Sequence, residues 1–402
     1  MDFEFYYTQE QEEFRKEVRA WLKENVPPDL HEAVDPLDTP HETFRRGIDF
    51  RQKLAEKGWY APTWPKEYGG GGLTAAHKVI IDEELGEYEL PAIAHGDTGN
   101  GLFGPAVMVW GTDEQKRSFL PLVTSGKNVT WQCFTEPEAG SDLASMKTTA
   151  IRHGDEFIVN GNKIFVGQLW DVDYLYTLAV TSPDNPRHNN IGAFFIPANL
   201  PGITLGHLDL ISGDGKRTVY FEDVHVPATQ LIGGDTDGWK VTQTTLELEH
   251  GGSGRAVDSD RLMDKLLDFA RNTMRDGKPV SSDPENQDTL TQAYIEYQVN
   301  RLFGMRNYWM RSIRKPFTYE GSQFSLNRKT YGPKLAEYML KVMGPYALVK
   351  DQPWAPFSGK LEHYTRDAIR IPHPGGTVEV QKLIMARRIG VSRTREQGAA
   401  YV

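Results

Sequence analysis

The chain of 402 residues has a formal net charge of −10 and an ordinary globular composition, with 39% hydrophobic and 25% charged residues. This charge, with no tract rich in lysine or arginine, argues against nucleic-acid binding, and no apolar run is long enough to cross a membrane. Cys133 is the only cysteine, which excludes an intramolecular disulfide framework and predicts a reducing, cytoplasmic location. No metal-ligand spacing occurs, so we expect no metal site.

Residues 1–127 show helical patterns and predict an α-helical N-terminal domain. Thr8 and Gln11 are placed as a capping box. Apolar residues follow at helical spacing, namely Phe14, Val18, Trp21 and Leu22. Further helices are predicted at 44–57, 75–89 and 104–109. The four consecutive glycines at 69–72 have no strand before them and no GK(S/T) after them, which argues against a phosphate-binding P-loop.

Residues 128–237 change character and predict a middle antiparallel β-domain. Apolar stretches of strand length lie at 174–180, 191–196 and 218–221, separated by turn-forming residues. Between 148 and 167, Gly154-Asp155 and Asn160-Gly161 predict turns that bound two short strands, and Asn-Gly is the strongest short hairpin signal.

Residues 238–402 are helical again and predict a C-terminal bundle. Long segments with few breaks, and Ala293, Tyr294 and Tyr297 on one helical face, favour this arrangement. The predicted fold class is therefore α+β multidomain.

The stretch WQCFTEPEAGSD at 131–142 carries the densest chemical signal. Pro137 fixes its own φ and Gly140 permits a positive φ, so the chain can bend with its N–H groups turned toward a ligand. Thr135 and Ser141 add hydroxyl groups on the same turn. Such a turn suits an electron-rich ring edge or a phosphate.

This stretch, with GDEFIVNGNK at 154–163, resembles the central signature of the acyl-CoA dehydrogenase family. WPKEYGG at 64–70, FEDVHVPATQLIG at 221–233 and the C-terminal run ending in GGTVEVQ at 375–381 resemble other parts of that family, so the resemblance covers almost the whole chain. It implies a helical N-terminal domain, a β-domain and a C-terminal four-helix bundle, with FAD and the acyl chain between the last two.

The resemblance also implies ligand contacts. Flavin-binding residues by this match are Phe134, Thr135, Ser141, Phe165, Val166, Gly376, Thr377 and Glu379. Substrate-binding residues are Ser141, His250 and Gly375. The electron acceptor implied by the family is an electron-transfer flavoprotein.

The chemistry implied by the family removes a proton alpha to a thioester carbonyl and passes a hydride from the beta carbon to the flavin, which requires a desolvated carboxylate base. In most of the family that base is a glutamate at the position of Gly375. The Gly375 N–H, which in the family donates to the thioester carbonyl, remains.

Some branches carry the base on the first bundle helix, one residue before an arginine. By this match Glu249 is the predicted base, with His250 in the arginine position. Glu247 is the lesser candidate, and His373, in a turn bounded by proline, is interpreted as structural.

Three further departures from the family are present. The hydroxyl residue that meets flavin N5 is replaced in Phe165-Val166-Gly167. The R-x-x-F-G motif keeps only Gly277 and Lys278, and the Q-x-x-G-G motif reads KVMGP at 341–345. In the family the last two motifs normally bind the FAD of a neighbouring subunit, so a homo-oligomer of this chain is expected to bind FAD weakly there.

A glycine in place of the usual glutamate, with a glutamate on the bundle helix, is similar to family members that act on bulky CoA thioesters such as steroid side chains. Those subunits often form α2β2 heterotetramers, so we predict a homotetramer or a heterotetramer with a related chain. Gly251, Gly252 and Gly254 remove side-chain volume beside Glu249 and favour a branched or cyclic acyl group, although close helix packing is an alternative.

The predicted function is FAD-dependent α,β-dehydrogenation of an acyl-CoA thioester. Two alternatives stay open. One keeps the fold and thioester site with lyase-like or reductase-direction chemistry; the other is a non-catalytic subunit that completes a partner's FAD site. The missing flavin-N5 hydroxyl favours the alternatives, whereas the intact TEPEAGSD, GNK and GGT runs favour dehydrogenation.

Overall fold

A computed structural model describes most of the chain. The described residues are 7–35, 38–167, 170–212, 215–249, 261–313, 315–350 and 352–392.

The N-terminal region is helical, as predicted. Its α-helices are α1 (Gln9–Asn25), α2 (His41–Glu56), α3 (Ala75–Leu85), α4 (Gly104–Trp110) and α5 (Asp113–Thr124). The predicted capping box of α1 is confirmed, because Thr8 Oγ1 accepts from Gln11 N at 3.2 Å and Gln11 Oε1 accepts from Thr8 N at 2.9 Å. The third helix ends at Leu85 and not at 89, since Gly86 follows and glycine is a poor helix former.

The middle region forms one mixed sheet. Its strands are β1 (Thr130–Cys133), β2 (Thr149–His153), β3 (Glu156–Val166), β4 (Tyr174–Val180), β5 (Ile191–Pro197), β6 (Ile203–Leu208), β7 (Lys216–Pro227) and β8 (Leu231–Ile232). The order across the sheet is β6-β7-β3-β2-β4-β5-β8, with β1 parallel to β4. The three predicted apolar stretches all lie in strands. Alternate residues of β1 face opposite sides, so Cys133 enters one buried cluster and Phe134, which follows the strand, enters the other.

The predicted turn at Asn160-Gly161 is wrong, and the turn at Gly154 is correct. Strand β3 runs through Asn160 and Gly161 without reversing, and its register against β7 shifts between Val159 and Gly161, which marks a β-bulge. Gly161 has a φ of 143°, and a Cβ there would lie 2.5 Å from Thr148 Oγ1. The glycine therefore permits a close approach between β3 and the chain leading into β2 and does not form a hairpin turn.

The C-terminal region is a helical bundle with one small hairpin. Its helices and the two strands of its hairpin, in chain order, are α6 (Gly238–Glu247), α7 (Leu262–Asn272), β9 (Met274–Arg275), β10 (Lys278–Pro279), α8 (Pro284–Ser312), α9 (Glu320–Met343), α10 (Lys360–Asp367) and α11 (Val378–Arg388). Its core is apolar and includes Leu266, Leu335 and Met339. The bundle joins the sheet through α6, where Thr245 Oγ1 lies 2.9 Å from the hydroxyl of Tyr176 on β4.

Candidate active site

Glu249 and Gly375 meet in space although they lie far apart in the chain. The helical path of α6 continues through Glu249. A Cβ built on Gly375 would lie 3.4 Å from Glu249 Oε1 and 3.7 Å from its Cγ. The carboxylate of Glu249 therefore fills the space that a side chain on residue 375 would enter.

The surroundings of Glu249 favour proton uptake. Burial raises the pKa of its carboxyl group, while a hydrogen bond from Gln132 and the charge of Lys329 act in the opposite direction. Gln132 Nε2 donates to Glu249 Oε2 at 3.0 Å, which reaches from β1 across to the end of α6. A desolvated carboxylate held by a neutral donor is a stronger base than a solvated one, as abstraction of a weakly acidic C–H proton requires.

The lesser candidate, Glu247, is occupied elsewhere. Its two carboxylate oxygens accept from Arg388 of α11 at 2.7 and 3.2 Å, and both side chains are buried. This bidentate pair ties α6 to α11 and neutralises Glu247.

Of the two histidines named from sequence, only His373 lies within the described residues. His250, with Gly251, Gly252 and Gly254, lies outside the described residues. His373 is exposed, and its Nδ1 lies 3.2 Å from the carbonyl oxygen of Arg370, which agrees with a structural interpretation.

The segment after Pro374 forms a tight turn into α11. Gly375 and Gly376 have φ values of 66° and 73°, in the left-handed region that favours glycine. Thr377 caps α11, accepting from Val380 N at 3.3 Å. Glu379 lies exposed in the first turn, where a backbone hydrogen bond holds the pKa of its carboxyl group below the usual value.

A cavity of about 310 Å³ opens beside Glu249 and Gly375. It extends between α7, α8, α9 and α10, with Tyr297, Asn300 and Lys329 among its lining residues. The cavity thus begins at the carboxylate and leads into the bundle.

On the β-domain side, the turn at 135–141 rests on a buried ion pair. Lys163 Nζ of β3 donates to Glu136 Oε1 at 2.8 Å and to the Phe134 carbonyl at 3.2 Å. Glu136 also accepts from the backbone N–H groups of Lys147 and Thr148. Thr135 is half-buried and Ser141 exposed at the surface of this turn, so their hydroxyl groups are available to a ligand.

Two predicted flavin contacts have buried side chains. Phe134 packs edge-on against Tyr176 at 5.0 Å between ring centroids, and Val166 lies in the core on the other face of the sheet. Only their backbone groups can reach a ligand.

Phe165 fits a stacking role. Its large ring is 53% exposed, its φ is 58°, and it lines a second cavity of about 170 Å³ with Gln132 and Gly167. An exposed aromatic ring held by a left-handed backbone conformation costs free energy in the ligand-free chain. A flat aromatic ligand would cover it, so the residues present fit a flavin here.

The missing hydroxyl at residue 167 has a steric explanation. A Cβ on Gly167 would lie 2.1 Å from Cδ2 of Trp131, so the indole already occupies that space. Trp131 is almost fully buried, and its Nε1–H has no hydrogen-bond partner within the described part of the chain. A side chain on residue 167, with or without a hydroxyl, would therefore collide with Trp131 unless the indole moved.

The two segments that depart from the family's R-x-x-F-G and Q-x-x-G-G motifs contact each other. Arg275 Nη2 donates to the carbonyls of Val342 and Met343 at 3.3 and 3.2 Å, so the hairpin β9–β10 is fastened to the end of α9 in the same chain.

Sequence profiles of three successive domains match the chain. The acyl-CoA dehydrogenase N-terminal domain matches residues 8–127, the middle domain 132–224 and the C-terminal domain 236–390. The chain belongs to the acyl-CoA dehydrogenase family. Membership makes it a flavin-dependent oxidoreductase of acyl-CoA metabolism, with the family's three-part fold.

Relatives within the acyl-CoA dehydrogenase family match over nearly the full length. Acyl-CoA dehydrogenase IpdE1 of Mycobacterium tuberculosis is 31% identical over 95% of this chain and 97% of that protein. The crystal structure of the ChsE4-ChsE5 complex from Mycobacterium tuberculosis superposes with a TM-score of 0.84 at 27% identity, covering 98% of this chain and all of that one. A structure described as the Tcur3481-Tcur3483 steroid ACAD superposes with a TM-score of 0.83 at 25% identity, over 98% and 100%.

Sequence reasoning missed three residues of this acyl-CoA dehydrogenase site. Gln132 binds Glu249, 117 residues away, and Lys329 binds the carbonyl of Pro374, 45 residues away. Gln132 stands in the recognised stretch at 131–142, at a position to which the motif assigns no role, and Lys329 belongs to no motif. Trp131 lies inside the recognised stretch, but the sequence does not show that its indole lies against Gly167. That contact becomes known only when the distance between the two residues in the fold is known.

None of the described helices is long and apolar enough to cross a membrane. Among the described residues no group of three histidine, cysteine, aspartate or glutamate side chains is arranged to hold a metal ion.

Proposed function

We propose that this chain catalyses α,β-dehydrogenation of a bulky acyl-CoA thioester with Glu249 as its catalytic base. The observation that carries the proposal is the position of the Glu249 carboxylate, 3.4 Å from where a Cβ on Gly375 would lie. A carboxylate is thus available at the place where the wider family uses a glutamate, although it comes from another helix.

The proposed reaction is balanced within the site. Glu249 takes the proton from the alpha carbon, and the N–H of Gly375 donates to the thioester carbonyl oxygen as negative charge develops there. A bound flavin would supply the acceptor for the hydride that leaves the beta carbon. The thioester would leave the site as the 2-enoyl thioester, with its alpha proton on Glu249 and its hydride on the flavin.

We assign the FAD to the surface between the 135–141 turn and the bundle. Phe165 would stack on the ring system, and Thr135 and Ser141 would donate to it or to its phosphates. The α11 cap, with Gly376, Thr377 and Glu379, would complete the site. Phe134 and Val166 would contribute backbone groups only. Substrate contacts assigned to Ser141, His250 and Gly375 are part of the same proposal.

The choice of a bulky acyl group rests on the relatives and not on the size of the cavity beside Glu249. That cavity has a volume of about 310 Å³, at the lower end of the range for small-molecule pockets. One structural relative is described as a steroid ACAD, which favours a polycyclic or branched acyl group for this chain too.

We further propose that the chain assembles as a tetramer and, with a related subunit, as an α2β2 heterotetramer. One structural relative is a complex of two different chains, ChsE4 and ChsE5. We expect an electron-transfer flavoprotein to reoxidise the flavin. Co-expression with a homologue encoded by a neighbouring gene, followed by size analysis and flavin quantification, tests the assembly. A stable, FAD-saturated homotetramer of this chain alone would contradict the need for a second, related subunit.

Replacing the proposed base tests the function directly. In the FAD-loaded protein, Glu249→Gln should slow anaerobic flavin bleaching by CoA thioesters of branched, cyclic and steroid side-chain acids by about 10²–10⁴-fold, since general-base removal has effects of that size. Thioester binding should change little, because the amide has nearly the same shape.

Glu247→Gln is the matched control. It removes a carboxylate two residues away that pairs with Arg388, so it should lower stability while the folded protein keeps its bleaching rate. Near-full activity of Glu249→Gln would exclude Glu249 as the base. A wild type that binds thioesters without flavin bleaching would instead support the non-oxidising alternatives.

A further inference from the structure

The turn that carries the proposed carbonyl donor contains little of its own to hold it rigid. Gly375 and Gly376 have no side chains and both adopt left-handed φ values. Glycine gains the most conformational freedom when it is not held, so a donor on such a turn needs support from outside. Two side chains from different helices provide it.

The first support is Lys329 of α9. Its ammonium group donates to the carbonyl oxygen of Pro374. The residue is only 7% exposed, and burial lowers its pKa to about 8. Within the described ranges no carboxylate lies at ion-pair distance from it, so its main partner there is this carbonyl. Because burial of a charged ammonium group is unfavourable, the hydrogen bond to the Pro374 carbonyl is what keeps Lys329 in this position.

The second support is Gln381 of α11. Its Nε2 donates to the carbonyl oxygen of Gly375 at 2.9 Å, and the side chain is fully buried. Its Oε1 has no partner among the described residues, an arrangement that is unfavourable for a buried acceptor. Only the amide nitrogen can donate to a carbonyl, so this orientation of Gln381 is fixed by Gly375.

The two hydrogen bonds lie on successive peptide groups, one on each side of the Gly375 Cα. None of the described peptide bonds is cis, so the C=O of Pro374 points opposite to the N–H of Gly375. When Lys329 fixes the direction of that C=O, it also fixes the direction of the N–H. Gln381 fixes the next peptide plane, so rotation about either bond of Gly375 would break a hydrogen bond.

We infer that Lys329 and Gln381 are positioning residues that aim the Gly375 N–H at the thioester carbonyl oxygen of the substrate. They supply the rigidity that a side chain on residue 375 would otherwise give by packing. The inference rests on the proposed function, because it needs a thioester bound beside Glu249. In this role each acts through the backbone of the turn, although Lys329 also lines the cavity beside Glu249.

Carbonyl polarisation measures this role without turnover. Hex-2-enoyl-CoA labelled with ¹³C at the carbonyl is bound to the FAD-loaded protein, and its C=O stretch is read by isotope-difference infrared spectroscopy. A well-aimed N–H lowers the frequency of that band. In Lys329→Met the band should return most of the way toward its value in water, and Lys329→Arg, which keeps a donor, should restore part of the shift.

Kinetics give the second readout. Losing a complete oxyanion donor costs about 10²–10³-fold in kcat; here the N–H remains but loses its aim, so Lys329→Met should lower kcat by about ten- to a hundredfold with little change in KM. Gln381→Leu should act in the same direction. If that variant fails to fold, Gln381→Met, which keeps the length of the buried chain, replaces it.

Lys334→Met is the matched control on the same helix. Lys334 is exposed and pairs with Glu296, so its loss should leave the carbonyl band and kcat unchanged. A shifted band that persists in both Lys329→Met and the Gln381 variant would overturn the inference and leave the proposed function standing. Bound thioester without any shift in the wild type would instead overturn the carbonyl donor on which the proposed function depends.

Discussion

Gln132 opposes the effect of burial on the proposed base through a single hydrogen bond. Its amide donates to Glu249 at 3.0 Å and lowers the pKa of a carboxyl group that burial otherwise raises. A base works only when deprotonated, so kcat/KM should rise with pH through the pKa of Glu249 in the free enzyme.

Gln132→Met should move that acidic limb to higher pH. The thioether keeps the volume but cannot donate, and a carboxylate that loses a donor has a higher pKa. A pH profile of kcat/KM for wild type and variant checks this. Coincident limbs would mean that Gln132 does not hold the ionised form of Glu249.

Trp131 and Gly167 form a large–small pair that should behave non-additively. Gly167→Thr would restore a hydroxyl, but its Cβ would lie 2.1 Å from the indole at a φ of 59°, so we expect a clear loss of stability. In a Trp131→Ala background the same change should cost less, because the space is vacant. Denaturant unfolding of the double-mutant cycle measures the coupling; additive losses would show that the indole is not the obstacle.

For individual residues, the sequence indicated which carboxylate is the candidate base but not which side chains support it. Glu249 could be singled out because it lies in a run that resembles the family's and because a glycine, Gly375, occupies the position of the usual base. Gln132 and Lys329 could not, because ordinary polar residues acquire a role only when folding brings them to a carboxylate or a carbonyl.

Among the elements, the turn at 135–141 depends on what lies beneath it. Burial alone would raise the pKa of Glu136, but Lys163 and the N–H groups of Thr148 and Lys147 outweigh burial and hold that pKa below its usual value. Glu136→Leu would leave the ammonium of Lys163 buried without its carboxylate. We expect a loss of about 3–5 kcal/mol in the free energy of unfolding.

The double variant Glu136→Leu/Lys163→Met should recover much of that loss, since a buried pair replaced by apolar side chains is often neutral. Denaturant titration at neutral pH compares the three proteins. Because the folded-state pKa of Glu136 is depressed, the wild-type advantage should also shrink as pH falls through that pKa. A double variant as unstable as the single one would contradict the account.

The elements also show where sequence patterns reach their limit. The helices and the apolar strands could be predicted because their periodicity reports burial directly. Asn160-Gly161 could not be assigned correctly, since the same dipeptide serves a hairpin and a bulge, and only the partner strand β7 decides between them. The domain limits at 127/128 and 237/238 remain a prediction.

Across the whole molecule, α8 presents an apolar stripe to solvent. Ile295, Val299 and Leu302 are each at least 36% exposed and lie at helical spacing on one face. Exposed apolar residues in a row mark an interaction surface. We expect this stripe to be covered in the assembled tetramer.

Ile295→Glu with Val299→Glu should therefore reduce the mass measured by light scattering from tetramer to smaller species. Ile151→Glu is the control, because this isoleucine on β2 is exposed to a similar degree but stands outside the stripe. An unchanged mass in the α8 variant would place the subunit contact elsewhere.

Whole-molecule architecture was predictable because motifs occur along nearly the full chain. The subunit assembly was harder to predict. The altered segments at 275–278 and 341–345 indicated weaker binding of a neighbour's FAD, but they did not indicate that Arg275 would connect the two segments by hydrogen bonds within one chain.

The left-handed turn at Gly375 also limits which residues can stand there. A glutamate at that position would be strained by a φ of 66° and would bring a second carboxylate against Glu249 in one desolvated space, where both cannot ionise. The two carboxyl groups would share a single proton, so the added one would compete with Glu249 for the negative charge that a base needs. Gly375 and Glu249 are therefore a matched pair, and a change at one of them alters what the other can do.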